Sequence, residues 1–164
     1  MAYCDDLIEH AIFLSSLNLP DDANLPRDPK QVHLRRAVSA AYYALFHLLT
    51  TEAAQNWKHE RQQNRFARMF DHGRMKTCSS KVSSQPFPSD PAEISTAKNL
   101  KLVADSFVTL QQARHTADYD NSKVWSRTQV DETIVQALEA MFAWRVISEK
   151  EMAQDYLFDL MGTR

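Results

Sequence analysis

The chain has very little glycine: only Gly73 and Gly162 occur among its 164 residues. Tight β-hairpin turns favour glycine because their central residues adopt positive φ angles, so this scarcity argues against a fold built from hairpins. It also excludes the glycine-rich loops that hold phosphate groups in Walker and Rossmann sites. Helices are therefore the expected building blocks, and any nucleotide site must be built from side chains.

Cysteine and long apolar runs are also scarce. Cys4 and Cys78 are too few for a disulfide framework and lack the CxxC spacing of a metal site. There is no basic-then-apolar leader, and no apolar run approaches the roughly 18 residues of a membrane span. We therefore expect a cytoplasmic protein with free thiols and no membrane contact. The length favours a single domain over residues 1–164.

The formal net charge is −2, so the whole chain does not attract nucleic acid electrostatically. The charge is uneven, however. Residues 58–81 carry seven Lys and Arg against two acids, and residues 131–159 carry seven acids against two bases. This asymmetry predicts a local basic patch for a polyanion, with two ordinary solvated helix faces as the alternative.

Residues 34–49, LRRAVSAAYYALFHLL, organise the chain. Arg36, Ser39, Tyr43 and His47 are spaced three, four and four apart, so they share one face of a predicted helix. Small side chains keep parts of this helix thin enough for neighbours to approach closely: Ala37, Ala40, Ala41 and Ala44. The polar face predicts either a tightly packed core helix or one wall of a site.

Apolar spacing predicts an all-α chain, packed as an up-and-down bundle of four or five helices. The predicted helices are residues 3–17, 30–57, 58–71, 92–117 and about 128–159. Proline and serine predict loops at residues 18–30 and 77–91, with Asp28-Pro29 capping the helix after the first loop. Gly73 is predicted to end a helix, and Thr128 with Asp131 to cap the last one.

The histidines and serines give no standard catalytic or metal motif. His10, His33, His47, His59, His72 and His115 form no HExxH, so we expect no metal and no cofactor. Ser39 lies within a helix and lacks a nucleophile elbow. Metal-independent RNA cleavage needs a cation and an acid–base group in one cleft. Arg114 is the candidate cation, and the acid–base group is His47, His72 or His115.

Two further patterns are compatible with binding of a polyanion. Arg114 and Asp118 can pair at spacing four, and Tyr119 beside them suits base stacking or hydrogen bonding. The alternative is a structural network that locks this helix end against the helix of Tyr42 and Tyr43. A basic stripe of Arg61, Arg65, Arg68 and His72 suits a sugar–phosphate backbone.

The pattern Arg36-x-x-Ser39-x-x-Tyr42-Tyr43-Ala44-x-Phe46-His47, followed by Arg114-x-x-Ala117-Asp118-Tyr119, resembles the HEPN superfamily. Asp71-His72-Gly73 resembles a segment between those two motifs, and within the superfamily the small stand-alone prokaryotic proteins are most similar. The resemblance spans residues 3–150. It implies a helical bundle, a homodimer, binding or cleavage of RNA or a nucleotide, and, as in toxin–antitoxin pairs, a small nucleotidyltransferase partner.

HEPN ribonucleases carry an Arg, then four to six residues, then a His. Here Arg114 matches that Arg, but Tyr119 stands where the His would be. This departure favours an RNA- or nucleotide-binding module over a toxin-type ribonuclease, with a purely structural partner protein as a further alternative. The candidate catalytic residues are Arg114, His47 and His72. The predicted RNA- or nucleotide-binding residues are Arg36, Tyr43, Arg61, Arg65, Arg68, Asp118 and Tyr119.

Overall fold

The computed structural model describes residues 2–17 and 30–162, and these residues form helices but no strand. The helices are α1 (Tyr3–Ser16), α2 (Gln31–Gln55), α3 (Glu60–Ala67), α4 (His72–Ser84), α5 (Pro91–Tyr119), α6 (Arg127–Ile147) and α7 (Glu151–Leu160). The predicted all-α class is confirmed, but these seven helices exceed the four or five expected. None of them is long and apolar enough to cross a membrane. The predicted loop at 18–30 with its Asp28-Pro29 cap falls, except for residue 30, outside the described residues.

α2 lies at the centre of the fold and packs against α1, α3, α5, α6 and α7. Its alanines allow this close packing, since Ala37, Ala41 and Ala44 are completely buried. α1 runs antiparallel to α2, because the ring of Tyr3 near its start lies 4.9 Å from that of His47. The sequence thus identified the central helix correctly from its small side chains.

α4 corrects the prediction of a loop at residues 77–91, because its helix extends to Ser84. The serines and threonine here return their hydroxyls to carbonyls of the preceding turn, as Ser79 does to Met75 at 2.8 Å. Met75 and Ser79 are buried, and their packing outweighs the low helix propensity of the serines and threonine in α4.

Gly73 does not end a helix as predicted: it lies in the first turn of α4. The Asp71 side chain caps this turn by accepting a hydrogen bond from the backbone N–H of Arg74 at 2.9 Å. A Cβ on Gly73 would approach the Asp71 carboxylate to 3.2 Å. The absence of a side chain at Gly73 therefore leaves space for the capping carboxylate of Asp71.

The predicted helix to residue 159 is also wrong, because α6 ends at Ile147 and α7 begins at Glu151. The Gln154 side chain donates to the exposed carbonyl of Ser148 at 2.6 Å, which stabilises the break. α7 turns back and buries Tyr156, whose hydroxyl hydrogen-bonds to Ser79 of α4 at 2.7 Å. Apolar spacing continues through the break, so periodicity alone could not reveal it.

The cap of α6 is likewise displaced from the predicted Thr128 and Asp131. The Ser126 hydroxyl accepts from the Gln129 backbone N–H, and the Gln129 side chain accepts from the Ser126 N–H, both at 3.2 Å. This reciprocal pair is a capping box two residues earlier than expected.

We expect Ser126→Ala to lower the free energy of unfolding by about 1 kcal/mol, since it removes an N-cap acceptor. Thr128→Ala is the matched control and should change stability by less than about 0.5 kcal/mol, as for an exposed site. Urea denaturation measures both. Equal losses in the two variants would contradict the observed cap.

Candidate functional site

Arg114 and Asp118 form an ion pair at the C-terminal end of α5, where this helix meets α2. Arg114 Nε lies 2.7 Å from Asp118 Oδ2. From α2, the Ser39 hydroxyl donates to Asp118 Oδ1 at 2.6 Å, and Arg114 Nη2 donates to the Tyr43 hydroxyl at 3.0 Å. The predicted meeting of the α2 polar face with the end of α5 is confirmed at these four residues.

The cationic group of α2 that reaches α5 is Arg35, which sequence reasoning missed. Its Nη1 donates to the carbonyl of Ala117 at 2.8 Å, and its Nη2 to that of Lys123 at 2.6 Å. The first bond satisfies a carbonyl of the last turn of α5, and the second holds the segment that follows this helix. The predicted Arg36 is instead exposed. Arg35 is four residues before Ser39, a spacing that could have pointed to it.

His72 belongs to the same end of the bundle, at the start of α4. Its Nδ1 lies 2.6 Å from the hydroxyl of the buried Tyr42, and its ring centroid lies 4.3 Å from that of Phe46. Partial burial and then the positive charge of Arg114 lower the pKa of His72, against a smaller opposing effect of Asp71. Burial raises the pKa of Tyr42, so its phenol stays protonated. These effects favour a neutral imidazole at His72, within the electrostatic influence of Arg114.

The three candidate acid–base histidines have different surroundings in the structure. His47 is half-buried between α1 and α2, and burial followed by the charge of His72 lowers its pKa. His115 is exposed and lies beside Tyr119, with 5.0 Å between ring centroids. His72 has the direct contact to the Tyr42 hydroxyl and the electrostatic coupling to Arg114. It is therefore the first candidate for proton transfer.

The predicted basic stripe does not lie on one helix. α3 ends at Ala67, Arg68 is its C-terminal cap, and His72 starts α4. Arg61, Arg65 and Arg68 are all exposed and line one shallow groove of about 400 Å³. The three arginines thus share a surface, but the predicted continuation of their helix through residue 71 is wrong.

Arg114 keeps one side open to a ligand. Within the described residues, its Nη1 has no hydrogen-bond partner. Its guanidinium carbon lies 5.5 Å from the ring centroid of Tyr43 and 5.8 Å from that of Tyr119. Tyr119 is 65% exposed, whereas Tyr43 is partly buried. This arrangement presents a positioned cation beside an exposed aromatic face.

No three His, Cys, Asp or Glu side chains in the described part of the chain are grouped to hold a metal ion. The chemistry that these residues offer directly is binding of an anion by Arg114, stacking on Tyr119 and proton transfer at His72. This set fits a phosphodiester with an attached base.

The histidine environment predicts how stability depends on pH. Because the native pKa values of His72 and His47 are lowered, the unfolded chain binds protons more readily, with pKa values near 6.5. Their contribution to the free energy of unfolding is therefore fully present above about pH 6.5 and is lost as the pH falls towards the lowered native values.

Urea denaturation at neutral pH and at pH of about 5.5, below the unfolded histidine value, measures this loss. A His47→Gln/His72→Gln variant should show a smaller loss than wild type. The control variant His10→Gln/His59→Gln changes two exposed histidines and should match wild type. Full pH dependence in the His47/His72 variant would contradict this origin of the stability loss.

Comparison with protein-family models, curated proteins and solved structures finds no match to this chain. The HEPN resemblance of its two motifs stays a prediction.

Proposed function

We propose that this protein is a HEPN-like RNA-binding module that contacts RNA through Arg114 and Tyr119. The observation that carries the proposal is the guanidinium of Arg114, which Asp118 and Tyr43 hold in place while Nη1 has no protein partner. A guanidinium fixed in this way can donate to a phosphate oxygen without losing conformational freedom on binding.

Tyr119 supplies the contact that a nucleic-acid base needs. Its ring is mostly exposed at the end of α5 and lies beside Arg114. Proteins that bind single-stranded RNA stack unpaired bases on such exposed aromatic rings. Phosphate recognition by Arg114 and stacking on Tyr119 would engage neighbouring parts of one nucleotide.

The arginines of α3 add a second source of affinity. Arg61, Arg65 and Arg68 are exposed around one groove and have no ion-pair partner within the described residues. Glu60 also lines this groove, so three arginines face one carboxylate and the lining keeps a net positive charge. This charge favours contact with phosphates, and such contacts weaken as salt rises. α3 is also connected to the start of α4 through the packed rings of Phe66 and Phe70, 5.5 Å apart. The groove lined by the three arginines is thus close to His72 along the chain.

Cleavage of the bound RNA is the second candidate function, and the position of His72 favours it. A neutral imidazole coupled to a cationic Arg114 is the minimal pair for metal-independent transfer of a phosphodiester. The required His comes from α4 in this reading, since no His follows Arg114 at the ribonuclease spacing.

We expect a fluorescently labelled single-stranded RNA to bind, with a Kd that fluorescence anisotropy measures and that rises with salt. Tyr119→Ala should raise the Kd about five- to a hundredfold, the effect of losing one stacked base. Arg114→Lys keeps the charge but loses the planar fork, so it should also weaken binding.

The matched control for Tyr119→Ala is Phe158→Ala, which removes another exposed aromatic ring, 60% exposed on α7. It should bind RNA as wild type does. Equal Kd values for the two alanine variants, or no binding by wild type, would overturn the proposed function.

The same labelled RNA, analysed on a gel after incubation with EDTA, distinguishes binding from cleavage. Cleavage that His72→Gln abolishes, with an unchanged Kd, would favour the ribonuclease. Intact RNA with wild-type protein would eliminate the ribonuclease and leave the binding module. Cleavage that persists in His72→Gln would exclude His72 as the acid–base group.

A further inference from the structure

A second concave surface lies between α4, α5 and the start of α6. It is an open groove of about 610 Å³, within the size range of small-molecule sites. Its α5 lining includes Thr109, Gln112 and Thr116, which share one helix face, whereas Arg114 and Asp118 lie on the opposite face. The groove is therefore separate from the RNA site proposed above and shares neither Arg114 nor Asp118 with it. We call it the lysine groove.

The charge of the lysine groove is positive. Lys76 and Lys123 line it, and no Asp or Glu does. Neither lysine has a carboxylate within ion-pair distance among the described residues. The other large cleft, between α4 and α7, differs because Asp71 and Asp159 lie there alongside Arg74 and Lys81. Of the two, only the lysine groove offers uncompensated positive charge for an anion.

Hydrogen-bonding groups surround the two charges. Lys76 Nζ donates to Gln112 Oε1 at 3.1 Å, which links α4 to α5 across the groove. The hydroxyls of Thr109 and Thr116 and the amide nitrogen of Gln112 have no hydrogen-bond partner within the described residues. These groups can donate to the oxygen atoms of a polar ligand without breaking a protein contact.

Trp125 forms part of the groove wall and lies against one of its two charges. The residue lines the groove and is 7% exposed. Lys123 Nζ lies 5.3 Å from the centroid of its ring. An anion held by Lys123 therefore lies close to the indole, which makes Trp125 a reporter of binding.

We propose that the lysine groove binds a small phosphate ester of about mononucleotide size. Lys76 and Lys123 hold the phosphate, and the Thr109, Gln112 and Thr116 side chains donate to the oxygen atoms of the ligand. The apolar side chains of Val108 and Ala113, which also line the groove, contact the organic part.

Titration with adenosine 5′-monophosphate, followed by ¹H–¹⁵N NMR, tests the proposal on the intact protein. Trp57, Trp125 and Trp144 each give one indole N–H resonance, and Trp125→Phe identifies that of Trp125. We expect the Trp125 resonance to shift with saturation, while that of the buried Trp144 stays in place. Adenosine, which lacks the phosphate, should leave the Trp125 resonance unchanged. No shift with the nucleotide, or the same shift with adenosine, would overturn the proposal.

Charge variants separate this groove from the Arg114 site. Lys76→Gln/Lys123→Gln should raise the Kd for the nucleotide at least tenfold, while the control Lys98→Gln/Lys150→Gln, at two exposed lysines, should leave it unchanged. Arg114→Lys should weaken RNA binding but not nucleotide binding. If Arg114→Lys weakens nucleotide binding as much as the lysine pair does, the nucleotide occupies the Arg114 site and the groove proposal is wrong. Failure of RNA binding alone would leave the groove proposal intact.

Discussion

The positive charge of Arg114 must be compensated where α5 meets α2, and the geometry of this end of the bundle depends on how that is done. Asp118, one turn later on α5, supplies the carboxylate, and Ser39 and Tyr43 of α2 complete the hydrogen bonds. Removing one member of a partly buried charge pair leaves the other uncompensated, so the network constrains both helices. Arg35 strengthens the constraint by donating to the carbonyls of Ala117, in the last turn of α5, and of Lys123, in the segment after it.

The contacts that hold Arg114 in place can also prepare it to bind an anion. A guanidinium held by a carboxylate and a phenol on one side is already oriented for an anion on the other, so less conformational entropy is lost when the anion binds. His72 is held comparably by Tyr42, with a protonated phenol against its Nδ1. The structural network and the proposed RNA site are therefore not exclusive alternatives at Arg114. The network stabilises the contact of α5 with α2, and Arg114 Nη1 is the group proposed to bind an anion.

Local pattern predicted the fold class and the meeting of Ser39 and Tyr43 with the end of α5, because fixed helical spacing determines which residues share a face. It failed at α4, because hydroxyl groups that usually favour loops donate there to carbonyls of the preceding helical turn. Burial of Met75 and Ser79 adds the tertiary packing that holds this helix. Local pattern also could not rank the histidines. The charge interaction of His72 with Arg114 depends on how α4 packs, and no spacing in the sequence encodes that packing. Arg35 and Arg36 differ by one position, and only the crossing of α2 with α5 selects between them.

The most direct test of the network is a double-mutant cycle on Ser39 and Asp118, with the free energy of unfolding measured in urea. We expect Ser39→Ala and Asp118→Ala to couple by about 1 kcal/mol or more, as residues in one hydrogen-bond network do. Ser39→Ala with Asp105→Ala is the control, since Asp105 is exposed on the same helix, and these effects should add within about 0.5 kcal/mol. Additive effects in both pairs would contradict the claim that this contact fixes α5 against α2.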